Sequence, residues 1–397
     1  MTDFARTRAL FELPEDIVYL DGNSLGPLPR AARERVSRVV SREWGQKLIR
    51  GWNEAGWMDL PDTVGNKIAK LIGAPEGTVV AGDSTSVNLH KALTGALSLA
   101  GQRKVVLSDT GNFPTDLYVA QMAIRALGKD HELKLVAPED VAGAIDETVA
   151  VLMLTQIDYR TGRLHDMQAL TAKARENGVV TIWDLAHSAG ALPVDLAGAN
   201  ADFAVGCGYK YLNGGPGAPA FIYVKPGLGD RIDPVLAGWM GHEAPFAFDL
   251  AYRPAAGIQR MRVGTPPILS MAALDAALDA WDGITMDDVR ARSIELSERF
   301  ITEIESRCPD LTLASPRDPH RRGSQVSFAF PEGYAAMQAC IAHGVIGDFR
   351  APDIMRFGFT PLYIGMDDVI RATEAIGRVM REKLWDRAEY RTRAKVT

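Results

Sequence analysis

Three cysteines in 397 residues leave this chain without the material for a disulfide framework. Cys207, Cys308 and Cys340 are also too far apart for a ligand motif, so no metal is expected. No apolar run approaches the roughly 18 residues of a membrane span. The N-terminus, Met1-Thr-Asp-Phe-Ala-Arg, has no apolar signal core. A net charge of −6 without any basic stretch argues against nucleic acid or an anionic membrane as partner. Internal repeats and low-complexity tracts are missing as well. What remains, 47% hydrophobic and 24% charged, is the balance of a soluble, cytoplasmic protein of more than one domain.

Residues 1–60 read as an arm followed by helix. Asp21-Gly-Asn23-Ser-Leu-Gly-Pro-Leu-Pro is turn chemistry, and a helix is expected from about Arg30 to Leu48. Trp52 and Trp57 then stand in a glycine-broken segment, either as packing or as an aromatic wall for a flat substrate. From 61 to 270 strands and helices alternate. Candidate strands are Thr78–Ala81, Lys104–Ser108, Ala150–Leu154, Val179–Asp184, Phe203–Cys207 and Ala220–Val224. Several are unbroken apolar runs, as in strands covered by helices on both faces, so an open, mainly parallel α/β sheet is predicted. Residues 271–397 change texture: two long helices, then short strands alternating with helices. They read as a smaller α+β domain, with the arm packing beside it.

Ligands of such sheets sit beyond the carboxyl ends of the strands. Lys210 and Asp184 both fall there, on consecutive apolar strands, where a charge is costly unless something uses it. Pyridoxal phosphate would use both: the lysine amine as its Schiff-base partner, the carboxylate to keep its ring nitrogen protonated. Ser84-Thr85-Ser86 opens a helix after a strand, offering hydroxyls, N–H groups and the positive helix end to a phosphate. Capping by Ser84 or Thr85 would account for one of those hydroxyls. Phe113, on the turn Asn112-Phe113-Pro114-Thr115-Asp116, is a candidate for stacking on a flat ring, or a plain loop aromatic. Thr155 ends a strand and His187 follows Asp184 by three residues; both are candidate cofactor contacts. Arg356 lies in an apolar strand and needs a carboxylate, either a substrate's or that of an acidic side chain in a structural ion pair.

These motifs together resemble the kynureninase family, within the aspartate-aminotransferase-fold group of pyridoxal phosphate enzymes. The resemblance runs from Gly22-Asn-Ser-Leu-Gly26 through Ser86-Val-Asn-Leu-His90, Phe113-Pro-Thr-Asp116 and Trp183-Asp-Leu-Ala-His187. It continues in Tyr209-Lys-Tyr-Leu-Asn-Gly-Gly-Pro-Gly217, Gly238-Trp-Met-Gly-His-Glu243 and Pro361-Leu-Tyr363. It implies hydrolysis of L-kynurenine to anthranilate and L-alanine, with Lys210 as Schiff-base lysine and Asp184, His187 and Tyr209 as cofactor contacts. Thr85, Ser86, Phe113, Pro114, Thr115, Asp116 and Thr155 would also touch the cofactor. Tyr209 is the candidate proton donor, and Arg356, Asn23 and Trp52 are candidate substrate contacts. Trp239 and Thr265 match contacts that cross from a partner subunit, which implies a homodimer with active sites at the interface. Some relatives carry asparagine where Thr265 stands.

The nearest rival, a cysteine desulfurase, needs a nucleophilic cysteine on a loop shortly before the arginine strand. Here that interval, Gly344 to Arg356, holds none. A transaminase is a second rival, and a protein that only binds the cofactor is a third.

Overall fold

The computed structural model describes residues 2–128, 130–233 and 235–393. Its centre is a seven-stranded sheet. In chain order the strands are β1 (Val79–Ala81), β2 (Val105–Asp109), β3 (Glu132–Val136), β4 (Val149–Thr155), β5 (Val180–Asp184), β6 (Phe203–Gly206) and β7 (Phe221–Val224). Their spatial order is β1-β7-β6-β5-β4-β2-β3. All run parallel except β7, which is antiparallel to both neighbours. The apolar runs explain the layering. Along β4, Val151 and Met153 face one buried cluster while Leu152 and Leu154 face another. Helix α1 (Arg30–Arg38) precedes the sheet, and α2 (Leu60–Leu71) packs on β1. On the opposite face lie α3 (Thr85–Leu99) and α4 (Pro114–Leu127). Leu89, Leu93 and Leu97 of α3 are buried against Ile182, Phe203 and Val205, each side chain contributing about 1.5–3 kcal/mol by burial.

Before residue 270, two features depart from the sequence reading. Strand β3 is not among the expected strands. It is an edge strand in which no residue is fully buried, so Glu132-Leu-Lys-Leu-Val lacks the apolar signature of its neighbours. The helix expected from Arg30 to Leu48 is α-helical only to Arg38 and continues as a π-helix over Val39–Lys47.

Beyond the sheet, α5 (Ile268–Leu278) packs on α1 and α2. It is followed by the 22-residue α6 (Met286–Arg307). A four-stranded antiparallel sheet then forms from β8 (Thr312–Leu313), β9 (Gln325–Ala329), β10 (Asp348–Arg350) and β11 (Ile354–Gly358), in the order β8-β9-β11-β10. Helix α7 (Met366–Arg381) packs on α6. The arm joins this region: Val18–Tyr19 pairs in parallel with Val345–Ile346, and Thr7 donates to the Leu362 carbonyl at 2.8 Å. Among the described residues no helix is long and apolar enough to cross a membrane.

Candidate active site

Six parallel strands deliver their last residues to one edge of the large sheet. Register alone puts Thr155 of β4 beside Asp184 of β5, and Asp184 beside Val205 of β6. From β6 the chain enters the Gly208–Gly217 turn, which presents Lys210. The arm closes over this turn, with Gly26 N–H donating to the Tyr209 carbonyl at 2.8 Å. A Cβ at Gly26 would sit 2.5 Å from the Lys210 carbonyl oxygen, so no side chain fits there.

Lys210 Nζ lies 2.9 Å from His187 Nε2. Burial, reinforced by the Lys210 charge, holds the His187 imidazole well below its usual pKa, so the ring is neutral. Its other nitrogen, Nδ1, is buried without a hydrogen-bond partner. Asp184 and Asp116 form a buried carboxyl pair, 5% and 3% exposed. Burial, with the charge and contact of the neighbouring Asp184, drives the Asp116 carboxyl well above the usual carboxylate range. Burial also raises Asp184, less strongly, because the Ala186 N–H (2.7 Å) and the Lys210 charge favour its anion. Tyr209 is half-buried, and burial with nearby Cys207 raises its hydroxyl, which stays protonated through neutral pH.

Asn112, to which the sequence alone assigns no role, organises the neighbouring turn. Its amide donates to Ser108 Oγ at 2.9 Å, while its oxygen receives the Phe113 N–H at 2.7 Å and the Thr155 hydroxyl. Phe113 is 40% exposed and meets Tyr159 edge-on at 5.1 Å. Pro114 and Thr115 open α4 behind it. At the head of α3 the Ser84 hydroxyl accepts the Val87 N–H (3.3 Å) as the cap. Thr85 and Ser86 are the first two helical residues and are half-buried. Thr265 lines, with Asp83 and Lys91, a cavity of about 30 Å³.

Arg356 is buried on β11 and makes an ion pair with Asp348, the acidic side chain its place in an apolar strand called for. Asn23 is fully buried, its amide without a partner and wedged against Gly358, where a Cβ would lie 2.2 Å from Oδ1. Trp52, expected at the substrate, and Trp239, expected to act from a partner subunit, each have an aromatic neighbour of their own in this chain. Trp52 packs edge-on against Trp57 at 5.6 Å, and Trp57 donates to Glu43 at 2.9 Å. Trp239 is 40% exposed and stacks edge-on with Phe246 at 5.6 Å.

Comparison with known proteins bears on the family and the fold. A family model described as the kynureninase C-terminal domain matches residues 289–376. The kynureninase of Pseudomonas fluorescens is 50% identical over 99% of this chain and 96% of its own length. That of Burkholderia pseudomallei (strain 1106a) is 49% identical with the same coverage. Among solved structures, an apo cysteine desulfurase from Thermococcus onnurineus NA1 superposes with a TM-score of 0.81 at 18% identity, covering 96% of this chain and 99% of that one. The cysteine desulfurase CsdA of Escherichia coli gives 0.81 at 20% identity with the same coverage. At such identities the desulfurases share the fold and nothing more is carried over. The two kynureninases are about half identical to this chain over nearly the whole of both sequences, and the chain belongs to the kynureninase family.

Proposed function

We propose that this protein uses pyridoxal phosphate to hydrolyse L-kynurenine, or its 3-hydroxy form, to anthranilate, or its 3-hydroxy form, and L-alanine. The reaction cleaves the Cβ–Cγ bond of the substrate. On this reading the enzyme serves tryptophan catabolism and NAD precursor supply in the cytoplasm. The observation that carries the proposal is the strand-end group of Lys210, His187, Asp184 and Asp116, with Arg356 as a second, separate cation for the substrate.

The residues fit the cofactor. Asp184 and Asp116 are a buried carboxyl pair to which, among the described residues, no cation is hydrogen-bonded, and a protonated ring nitrogen beside Asp184 would supply one. The neutral His187 ring can lie against a flat heterocycle without adding charge. Thr85 and Ser86, with the first-turn N–H groups of α3, suit its phosphate. Lys210 would hold the group covalently, with Phe113, Pro114, Thr115, Thr155 and Tyr209 around it.

When bound, pyridoxal phosphate supplies an electron sink that stabilises negative charge developing on the substrate. The chain's own residues do the rest. Arg356 binds the substrate's α-carboxylate and so fixes the direction of the Cα–H bond. Lys210 Nζ is the group that would take the Cα proton, a role worth about 10²–10⁴-fold in rate for a well-placed base. Asp184 would hold its negative charge beside the ring nitrogen, and Asp116, buried against it, would steady that carboxylate. Water adds to the side-chain ketone. The Tyr209 hydroxyl, protonated at neutral pH, is available to return a proton to carbon after anthranilate leaves.

The working unit on this reading is a homodimer to which Trp239 and Thr265 contribute across the interface. An exposed apolar stretch that includes Trp239, Phe246, Phe248 and Leu250 supports it, being larger than solvent-facing loops usually carry. The test is incubation of cofactor-loaded protein with L-kynurenine while following anthranilate fluorescence and alanine. Pyruvate or kynurenic acid in place of alanine and anthranilate would make it a transaminase instead.

A further inference from the structure

A guanidinium carries five N–H donors, and the surroundings of Arg356 take up four hydrogen bonds from it. Nε donates to Asp348 Oδ1 at 2.6 Å, and Nη2 donates to Oδ2 of the same carboxylate. Nη2 also donates to Ser24 Oγ at 3.1 Å, and Nη1 donates to the Tyr159 carbonyl at 2.5 Å. Antiparallel register sets Asp348 directly opposite Arg356, and both side chains are 2% exposed. The Nε–Nη2 edge is therefore closed by a carboxylate of the same sheet. One N–H of Nη1 is left uncommitted, on the end of the guanidinium away from that edge.

The charges nearby point the same way. Burial would raise Asp348, but the hydrogen bonds and charge of Arg356, with the charge of Arg350, hold it below the usual carboxylate range. Arg350 reaches Asp348 at 2.8 Å and is one-third exposed. Asp21, from the arm, shares this space with the hydroxyls of Tyr19, Tyr211 and Tyr363. Burial and the Asp348 charge push Asp21 up to about 7. While Asp21 holds its proton, two guanidiniums face one carboxylate. The cluster is then one positive charge in excess, which a single substrate carboxylate would balance.

We propose that Asp348 is the positioning residue of substrate capture: by closing the Nε–Nη2 edge of Arg356 it turns the Nη1 end toward the α-carboxylate of the amino-acid substrate. This rests on the reading of Arg356 as the carboxylate's partner. Without Asp348 a long, rotamer-rich side chain would have to be ordered by the substrate itself, at a cost in affinity and not in the chemical step.

The experiment compares wild type, Asp348→Asn, Asp348→Glu and Arg356→Lys as cofactor-loaded enzymes. Asp348→Glu keeps the charge and carries the test if Asp348→Asn does not fold. Either Asp348 variant should raise the KM for kynurenine about tenfold, with kcat within about threefold and the cofactor's visible absorbance unchanged. A kynurenine analogue lacking the α-carboxylate should inhibit wild type and both variants equally. An unchanged KM in both, or an equal loss of affinity for that analogue, would overturn the proposal. If Arg356→Lys also leaves KM unchanged, the assignment of Arg356 itself is at fault.

Discussion

The molecule holds two buried charge clusters of opposite design. At the end of the large sheet, Lys210, His187, Asp184 and Asp116 are incompletely satisfied: two carboxyls are buried against each other and, among the described residues, a histidine nitrogen has no partner. On the small sheet, Asp348 and Arg356 close on each other, and Ser24 and Tyr159 take most of the donors left over. Low dielectric makes an unsatisfied group costly and a satisfied one rigid. On the proposed function, the first cluster is completed by the cofactor it receives. In the second, the guanidinium of Arg356 is closed except for one N–H of Nη1.

Breaking the first cluster should strike activity. Replacing Lys210 by alanine should reduce turnover at least about 10⁴-fold and abolish the visible absorbance of lysine-linked cofactor. Retained absorbance would mean that another lysine holds it. Asp184→Asn should lower kcat by about 10²–10⁴-fold, measured at saturating substrate. In cofactor-free protein the same change should cost little or no stability, because it relieves a carboxyl pair.

Breaking the second should strike stability as well as binding. Arg356→Ala leaves Asp348 buried without its main partner, a loss of about 3–5 kcal/mol in denaturant unfolding of the cofactor-free protein. It should also weaken kynurenine more than pyridoxal phosphate. Equal stability losses for Arg356→Ala and Asp184→Asn would erase the contrast between the clusters.

A smaller effect tests the proton held near Arg356. The folded-state pKa of Asp21, about 7, lies above the ordinary aspartate value of 3.8. Folded protein thus binds this proton more tightly than unfolded protein. The resulting stability is full below about pH 4 and is lost as pH rises toward 7. Asp21→Asn lacks that loss, so its melting temperature should gain on wild type between pH 4 and 7 and hold its lead above. A pH-independent difference would show that Asp21 is not raised.

The large-sheet site is more legible in the sequence than the small-sheet one. Apolar runs ending in Thr155, Asp184 and the Lys210 turn advertise buried strands with chemistry at their ends. Topology then converges them whatever the details. The antiparallel course of β7 and the edge strand β3 leave no such mark: direction has no residue signature, and Glu132–Val136 is too exposed to need an apolar run. The need of Arg356 for an acid is plain in the sequence, but the identity of Asp348 as that acid is not. Its signal is an aspartate eight residues before the arginine, which a hairpin of the observed register places opposite. Asn112 is hidden for another reason, since its role depends on which backbone and hydroxyl groups surround it. The cysteine desulfurase likeness shows the other limit: fold is shared at 18% identity, while the expected nucleophile is missing from Gly344 to Arg356.

The central claim, carbon–carbon hydrolysis of kynurenine at Lys210, is tested most directly by one assay. Protein loaded with pyridoxal phosphate is mixed with L-kynurenine, and anthranilate fluorescence and alanine are measured over time. Equimolar anthranilate and alanine, absent with Lys210→Ala, is the predicted result. Loaded wild-type protein that binds kynurenine yet releases neither product would contradict the account.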